Sequence, residues 1–156
     1  MTRWLLALCV LLGVACGPQA DPPIEAGTLT LQFQLDARVR ADVDPKVKLV
    51  GTVYGDLYLA EDVTVVGPID DAKAYASIAV PVDLSADGVA KASWTSAELM
   101  PQRYAFLGFF DVGDKSTPEK RRPTAGDPVT LAFTNRFDVD PGQMAKAIIR
   151  FDLLYN

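Results

Sequence analysis

Residues 28–39, TLTLQFQLDARV, alternate between polar and apolar side chains without exception. A period of two residues places every second side chain on the same face of a β-strand. The stretch therefore predicts a strand with one face in a core and the other toward solvent. The predicted core face consists of Leu29, Leu31, Phe33, Leu35, Ala37 and Val39.

The rest of the chain divides into further strand-like segments separated by turn signals. Alternating or apolar runs predict strands over 47–59, 74–82, 89–95, 104–111, 129–133, 137–139 and 145–154. Segment 104–111 is apolar on both faces, which predicts a central strand. Gly51 and Gly55 interrupt segment 47–59 and indicate a bulge or a bend there. No segment shows a helical stripe.

This pattern is typical of an all-β protein. A chain of 156 residues with 49% hydrophobic residues can build one domain around a substantial core. About seven short strands with turns between them predict a Greek-key β-sandwich, immunoglobulin-like or transthyretin-like, over residues 27–156. A meandering barrel is the alternative.

The composition argues against several classes of function. The 15 basic and 20 acidic residues give a net charge of −5, which opposes nucleic-acid binding because phosphates require a basic surplus. The chain has no histidine, so a Ser-His-Asp triad is excluded and the usual zinc sites lack their common ligand. We therefore expect no enzyme activity and no cofactor. A hydrolase using two carboxylates across a cleft is the least favoured function.

The first residues have the features of an export signal. Arg3 precedes an apolar run, residues 4–12, and a small-residue stretch, residues 13–15, which predicts a signal peptide over residues 1–15. The run is shorter than the roughly 20 residues of a spanning helix. Residues 16–26 contain three prolines and no periodicity, which predicts a tether. Ordinary secretion, with cleavage after Ala15 or Ala20, is the alternative.

Cys16 would be the only thiol of the mature chain, because Cys9 lies inside the predicted signal. The segment Leu11-Leu12-Gly13-Val14-Ala15-Cys16 resembles the lipobox of bacterial lipoproteins, in which signal peptidase II cuts before a cysteine that carries a diacylglycerol. Gly13 stands where that family usually has an aliphatic residue. The resemblance implies that Cys16 is lipidated and attaches the protein to a membrane of the bacterial envelope, with the outer membrane favoured.

The segment Leu99-Met100-Pro101-Gln102-Arg103-Tyr104 resembles the L-x-P-G-x-Y entry to a strand in transthyretin-like and collagen-adhesin B-type sandwich domains. Gln102 replaces the usual glycine. The resemblance implies structural roles for Pro101 and Tyr104, with the tyrosine hydroxyl bonding to backbone a few residues upstream.

Residues 112–127 form the longest polar interruption and follow the predicted central strand. The segment 111–115 lies where many secreted sandwich domains carry a D-x-D-G-N calcium loop, but its acidic positions are displaced and Lys115 adds a positive charge. A solvated loop is favoured over a metal site. Binding concentrates on long polar loops held by a rigid scaffold. The candidate binding residues are Asp111, Asp114, Lys120, Arg121, Arg122 and Asp127.

If each connection reverses the direction of the chain, successive loops lie at alternate ends of the sandwich. Loops near 42–45, 85–88 and 112–127 would then lie at one end, and loops near 61–71, 96–102 and 135–142 at the other. We therefore expect a non-catalytic envelope lipoprotein that acts as a structural or protein-binding module, with the membrane and another envelope protein as partners. A binder of a cation such as calcium, or of a glycan, through loops at one end is the alternative.

Overall fold

The computed structural model describes residues 23–156, so the predicted signal peptide, Cys16 and most of the predicted tether lie outside the described residues. Within this range the regular secondary structure is almost entirely β, with one short α-helix and one 3-10 turn. The all-β prediction is confirmed. No helix between residues 23 and 156 is long and apolar enough to cross a membrane.

Eleven strands and one helix follow one another along the described chain, and six of the strands have seven residues or more. In chain order the elements are β1 (Thr28–Leu35), α1 (Ala37–Asp42), β2 (Val50–Leu59), β3 (Val63–Thr64), β4 (Gly67–Pro68), β5 (Ala76–Asp83), β6 (Val89–Thr95), β7 (Arg103–Val112), β8 (Pro128–Val129), β9 (Arg136–Asp138), β10 (Met144–Phe151) and β11 (Leu153–Leu154). The 3-10 turn spans Ala60–Asp62.

The long strands form two sheets. The first has three strands in the order β10-β1-β6, in which β1 is parallel to β10 and antiparallel to β6. The second has the order β11-β8-β7-β2-β5, and β9 also pairs with β7. Strand β7 has β2 on one side and β8 and β9 on the other, so the predicted central strand is confirmed.

The two sheets enclose one main core between them. The rings of Phe33 on β1 and Phe106 on β7 lie 6.4 Å apart, and those of Phe110 and Phe151 lie 6.2 Å apart. Each fully buried apolar side chain stabilises the fold by about 1.5–3 kcal/mol relative to exposure. Core residues with no exposed surface include Leu29, Leu31, Phe33, Val53, Leu57, Ile78, Phe106, Phe110, Ile149 and Phe151.

The predicted strand over residues 28–39 ends at Leu35, and α1 begins at Ala37. The Asp36 carboxylate accepts a hydrogen bond from the Arg38 N–H at 2.9 Å, and the Arg40 N–H donates to the Asp36 carbonyl at 2.9 Å. An aspartate at the N-cap favours a helical turn over a continued strand. The prediction that the strand reaches Val39 is wrong, and α1 is a short helix that the sequence pattern did not indicate.

Two predicted strands near the C-terminus have different bounds in the structure. The strand predicted over 129–133 is only two residues long, because the chain turns at Leu131, whose carbonyl accepts from the Thr134 hydroxyl at 3.2 Å. The strand predicted over 145–154 divides at Asp152, so that β10 joins the first sheet and β11 the second.

The sequence predicts a bulge or a bend at Gly51 and Gly55, and the structure has no bulge there. Both glycines lie in unbroken register between β5 and β7. A side chain at Gly55 would overlap the Phe106 ring, and one at Gly51 would overlap the Asp111 carbonyl. The two glycines therefore allow close packing against β7 without interrupting the ladder.

Candidate functional site

The β7–β8 loop, residues 113–127, folds over the outer face of the six-stranded sheet. The Thr52 hydroxyl donates to the Asp114 carboxylate at 2.7 Å, and the Arg121 guanidinium lies 3.4 Å from the Asp56 carboxylate. Both Thr52 and Asp56 belong to β2 and point away from the main core. The loop is therefore docked on the sheet at two places.

Asp127 fixes the C-terminal end of this loop, and its side chain is completely buried. One carboxylate oxygen, Oδ2, accepts from the backbone N–H of Thr124 at 2.6 Å and from its hydroxyl at 2.8 Å. The other oxygen, Oδ1, accepts from the Val112 N–H at 3.3 Å and lies 3.9 Å from the Lys115 ammonium. Hydrogen bonds to a charged group contribute about 1.5–3 kcal/mol each, so Asp127 is a strong anchor.

Asp111 fixes the N-terminal end of the loop and is also completely buried. Its Oδ2 accepts from the Ser116 N–H at 2.6 Å. Its Oδ1 has no hydrogen-bond partner among the described residues. Asp111 and Asp127 thus hold the loop from both ends by bonding to its backbone.

The tip of the loop, Thr117–Arg122, carries the exposed charges. The Lys120 N–H donates to the Thr117 carbonyl at 3.0 Å and closes a turn, and the side chains of Lys120 and Arg122 face solvent. The Arg121 Nε donates to the Pro118 carbonyl at 2.9 Å, which holds this half-buried side chain against the sheet. A hydrogen bond from the Thr117 hydroxyl lowers the pKa of the Glu119 carboxyl, so this group is ionised at neutral pH.

The predicted binding residues therefore divide into two groups. Asp111 and Asp127 have no exposed surface and act inside the protein, whereas Lys120 and Arg122 remain available to a partner. Asp114 and Arg121 are held by β2. No three Asp, Glu, Cys or His side chains of residues 23–156 lie close enough together to hold a metal ion.

Sequence reasoning missed Asp56. Its carboxylate forms an ion pair with Arg121 and accepts a hydrogen bond from the Ser77 hydroxyl at 2.6 Å. Asp56 is the only charged residue in β2. A single charged residue in an otherwise uncharged strand could have indicated Asp56, because such a charge needs a partner or solvent.

The predicted grouping of loops at one end is confirmed. The Arg40 guanidinium of α1 donates to the carbonyls of Leu84 at 2.7 Å and Ala86 at 2.9 Å, which joins α1 to the β5–β6 turn. The α1–β2 connection also faces the β7–β8 loop across a cleft of about 230 Å³, whose lining includes Val43 and Lys115.

The grouping at the opposite end is confirmed as well. Glu61, Gln102 and Arg136 line a shallow groove of about 470 Å³ there. The Arg136 guanidinium donates to the Val63 carbonyl at 2.8 Å, and Arg103 lies 3.8 Å from Asp138. The basic groups of this groove are thus already engaged within the chain.

Tyr104 and Pro101 lie at the entry to β7, where the resemblance placed them. The Tyr104 ring is fully buried and packs edge-on against Tyr75 at 5.6 Å, while Pro101 is half-buried. The Tyr104 hydroxyl donates to the Met100 carbonyl at 2.9 Å. This is the bond to upstream backbone that the resemblance implied, and it fixes the turn that leads into the central strand.

We expect Tyr104→Phe to lower the free energy of unfolding by about 1–2 kcal/mol without changing the fold, because only this hydrogen bond is lost. Burial raises the pKa of Tyr104. The stabilisation by the neutral Tyr104 hydroxyl is therefore complete below pH 10, since about 10 is the pKa of tyrosine in the unfolded chain. It is lost as the pH rises through the higher pKa of the folded state. Denaturant midpoints measure the effect, with exposed Tyr155→Phe as control. A midpoint equal to that of the control would make Tyr104 an ordinary strand residue.

These features define the chain as an all-β sandwich protein with one long, anchored loop. No protein-family model and no curated protein matches it. Among solved structures, a leucine-rich repeat protein from Bacteroides thetaiotaomicron is 9% identical, with a TM-score of 0.43. The similarity covers 82% of this chain and 12% of that protein, so this chain spans about an eighth of its length.

Proposed function

We propose that this protein is a non-catalytic lipoprotein of the bacterial cell envelope that docks another envelope protein through the tip of its β7–β8 loop. The observation that carries the docking proposal is the loop itself. Its two ends are fixed by buried Asp111 and Asp127, while Lys120 and Arg122 stay exposed. The lipid anchor at Cys16 and the location, with the outer membrane favoured, rest on the sequence.

A fixed loop suits binding for an energetic reason. Association costs about 0.5–1.5 kcal/mol for each flexible side chain that becomes ordered, and more when a segment of backbone must also be ordered. The contacts of Ser116 and Thr124 with buried carboxylates hold the backbone beside the tip before a partner arrives. The loop therefore presents its exposed side chains at a smaller entropic cost than a free loop would.

The charge of the tip indicates the kind of surface that it contacts. Lys120 and Arg122 form a small basic region on a protein whose net charge is −5. An acidic patch on the partner would attract this region and be repelled by much of the remaining surface. Such complementarity increases the association rate and fixes the orientation of docking.

The predicted anchor keeps the sandwich close to the membrane. Residues 16–26 can extend to about 40 Å at most. One acyl chain binds a membrane only marginally, at about 0.8 kcal/mol per buried methylene, whereas several chains on one cysteine hold stably. A partner at the envelope would therefore meet the loop tip at a high effective concentration.

One observation favours the alternative of a cation binder. Asp111 Oδ1 is buried and has no hydrogen-bond partner among the described residues. If the loop binds calcium, millimolar calcium should raise the melting temperature of the wild-type protein, and Asp111→Asn should remove that increase. The docking proposal expects no calcium-dependent change.

Reversing the charge at the tip tests the docking proposal. We expect Lys120→Glu with Arg122→Glu to reduce recovery of the partner from membranes at least tenfold, which corresponds to about 1.4 kcal/mol of binding energy. The melting temperature should be unchanged, because both side chains face solvent. Affinity isolation of the lipidated protein with quantitative mass spectrometry measures the recovery.

The matched control reverses two exposed basic residues elsewhere, Lys73→Glu with Arg38→Glu, and should keep the partner. Recovery of the same proteins by the tip variant and the control would overturn the docking proposal. The changes are confined to the tip for a structural reason. Replacing residues 114–125 would also remove the donors of Ser116 and Thr124, which would leave buried Asp111 without a partner and Asp127 with only the Val112 N–H.

A further inference from the structure

The edges of the two sheets differ in how they are protected. Free strand edges attract other strands, and proteins block them with prolines, bulges or very short strands. On one sheet, β5 has Pro81 and β11 has only two residues. On the other, the pairing of β6 with β1 shifts register between Gln32 and Gln34. Only β10, among the edge strands of residues 23–156, pairs in unbroken register over eight residues and contains no proline.

The backbone groups on the free side of β10 follow from its pairing with β1. The Gln143 carbonyl accepts from the Thr28 N–H at 2.9 Å, and the Phe151 carbonyl accepts from the Asp36 N–H at 3.1 Å. Odd-numbered residues of this strand thus face β1. Since successive residues direct their N–H and C=O groups to opposite sides, the even-numbered residues direct theirs to the free side.

One end of the free edge is closed by Asn135, a residue that the sequence analysis did not single out. Its Oδ1 accepts from the Arg150 N–H at 2.8 Å, and its Nδ2 donates to the Arg150 carbonyl at 3.0 Å. This side chain replaces a neighbouring strand at Arg150 and is itself buried. The open part of the edge is therefore formed by Met144, Lys146 and Ile148.

The side chains beside this edge form a surface without carboxylates. The outer face of the three-stranded sheet has twelve outward-facing positions, four from each strand. Three of them are basic, Lys91, Lys146 and Arg150, and none is acidic, although the chain has 20 acidic residues. Met144 is 63% exposed and Ile148 is 44% exposed. The edge thus combines free backbone groups with basic and apolar side chains.

We propose that β10 binds an extended, acidic segment of a partner protein as an added strand alongside residues 144–148. The backbone groups of Met144, Lys146 and Ile148 form the new ladder, and acidic side chains on the outer face meet Lys146 and Arg150. Strand addition of this kind obtains affinity from main-chain hydrogen bonds and specificity from alternate side chains. Asn135 closes the edge at Arg150, so residues 144–148 remain for pairing. Because both strands rise about 3.3 Å per residue, the added strand pairs over about five residues.

A second copy of this chain fits the edge less well. The symmetric antiparallel register that uses all three open residues places Lys146 directly opposite the Lys146 of the other copy. Opposed side chains in such a pair are about 5 Å apart, and like charges at that distance are destabilising. An acidic segment replaces this repulsion by attraction.

This inference does not depend on the proposed function, because β10 and the β7–β8 loop belong to different sheets. The probe is an acetylated and amidated hexapeptide, Glu-Val-Glu-Val-Glu-Val, and Lys-Val-Lys-Val-Lys-Val is its matched control. Amide hydrogen exchange of the full chain in mild detergent, measured by NMR, is the readout. In the free protein we expect fast exchange at Lys146 and Ile148 and slow exchange at Ala147, Ile149 and Arg150.

Addition of the acidic peptide should slow exchange at Lys146 and Ile148 at least tenfold, while the basic peptide should leave both unchanged. Ile148→Pro should abolish the effect, because it removes a free N–H without removing a bond to β1, whereas Ile148→Val should retain it. Lys146→Glu should weaken binding at least tenfold and Lys91→Glu, on the far strand, should have little effect. These two surface variants test the proposal even if Ile148→Pro fails to fold.

Three results with the peptides would overturn the inference. They are unchanged exchange at Lys146 and Ile148 with millimolar acidic peptide, equal slowing by the two peptides, and protection located on another strand. A homodimer that protects the same amides without peptide would also overturn it, in favour of pairing between copies of this chain.

Discussion

Asp127→Asn is expected to lower the free energy of unfolding by about 2–4 kcal/mol, whereas Asp111→Asn should change it by less than about 1 kcal/mol. Both aspartates are completely buried and both hold the same loop. The difference arises from the number of oxygens that each carboxylate uses. We measure it as the shift in the urea midpoint at neutral pH, with the slope of the transition as a check on compactness.

The large effect at Asp127 follows from its donors. Oδ2 accepts two hydrogen bonds from Thr124, and Oδ1 accepts one from Val112. An asparagine has only one acceptor oxygen, so in either orientation its NH₂ group faces a donor. At least one buried donor then loses its partner, and the favourable contact with Lys115 is weakened as well.

At Asp111 the same substitution can keep the one hydrogen bond that the carboxylate accepts from the described residues. Oδ2 accepts from the Ser116 N–H, and Oδ1 has no partner among the described residues. The asparagine oxygen can keep the bond to Ser116, and the substitution removes a buried charge. Exposed Asp71→Asn serves as the surface control. Equal destabilisation by Asp111→Asn and Asp127→Asn would contradict this account of the loop anchors.

Cys16→Ser is expected to transfer nearly all of the protein from the membrane fraction to the soluble fraction. The serine cannot form the thioether that carries the diacylglycerol. Without acyl chains the protein loses about 0.8 kcal/mol of membrane binding for each methylene that would have been buried. Immunoblotting of fractions after a carbonate wash measures the distribution.

Cys9→Ser provides a matched control, since Cys9 lies in the apolar run of the predicted signal. This variant should remain in the membrane fraction like the wild type. If Cys16→Ser also stayed there after the wash, the lipid-anchor proposal would be wrong and another attachment would have to be sought.

Strand prediction succeeded where the apolar side chains of a segment match the faces that the strand buries. The alternation of residues 28–35 and the apolar run at 104–111 each correspond to a long strand of the structure. Segment 89–95 was predicted with its observed bounds. The burial of β1 alternates as its sequence does, and β7 is buried on both faces as its apolar run indicates, so local information was sufficient.

Prediction failed where contacts from distant parts of the chain decide the local structure. The alternating pattern continues through Val39, but Asp36 caps a helix and Arg40 binds the carbonyls of Leu84 and Ala86. Val39 is still buried, now through α1. An alternating pattern alone could not exclude this outcome, because the partners of Arg40 lie more than 40 residues away.

The candidate site was predictable as a segment and less so as a set of residues. The length and polarity of the β7–β8 loop indicated its position after the central strand. Whether an aspartate there faces a partner or the interior depends on donors such as Ser116 and Thr124, whose positions follow from the path of the loop. For the same reason, nothing local marked Asn135 as the residue that closes the edge of β10.

The mass of the N-terminal peptide of the mature protein tests the central claim, a lipid-anchored envelope module, most directly. Protein purified from membranes would be digested and its first peptide measured by mass spectrometry. We expect a chain that begins at Cys16 and carries the mass of a diacylglycerol, with or without a further acyl group. An unmodified peptide that begins at Asp21 would contradict it.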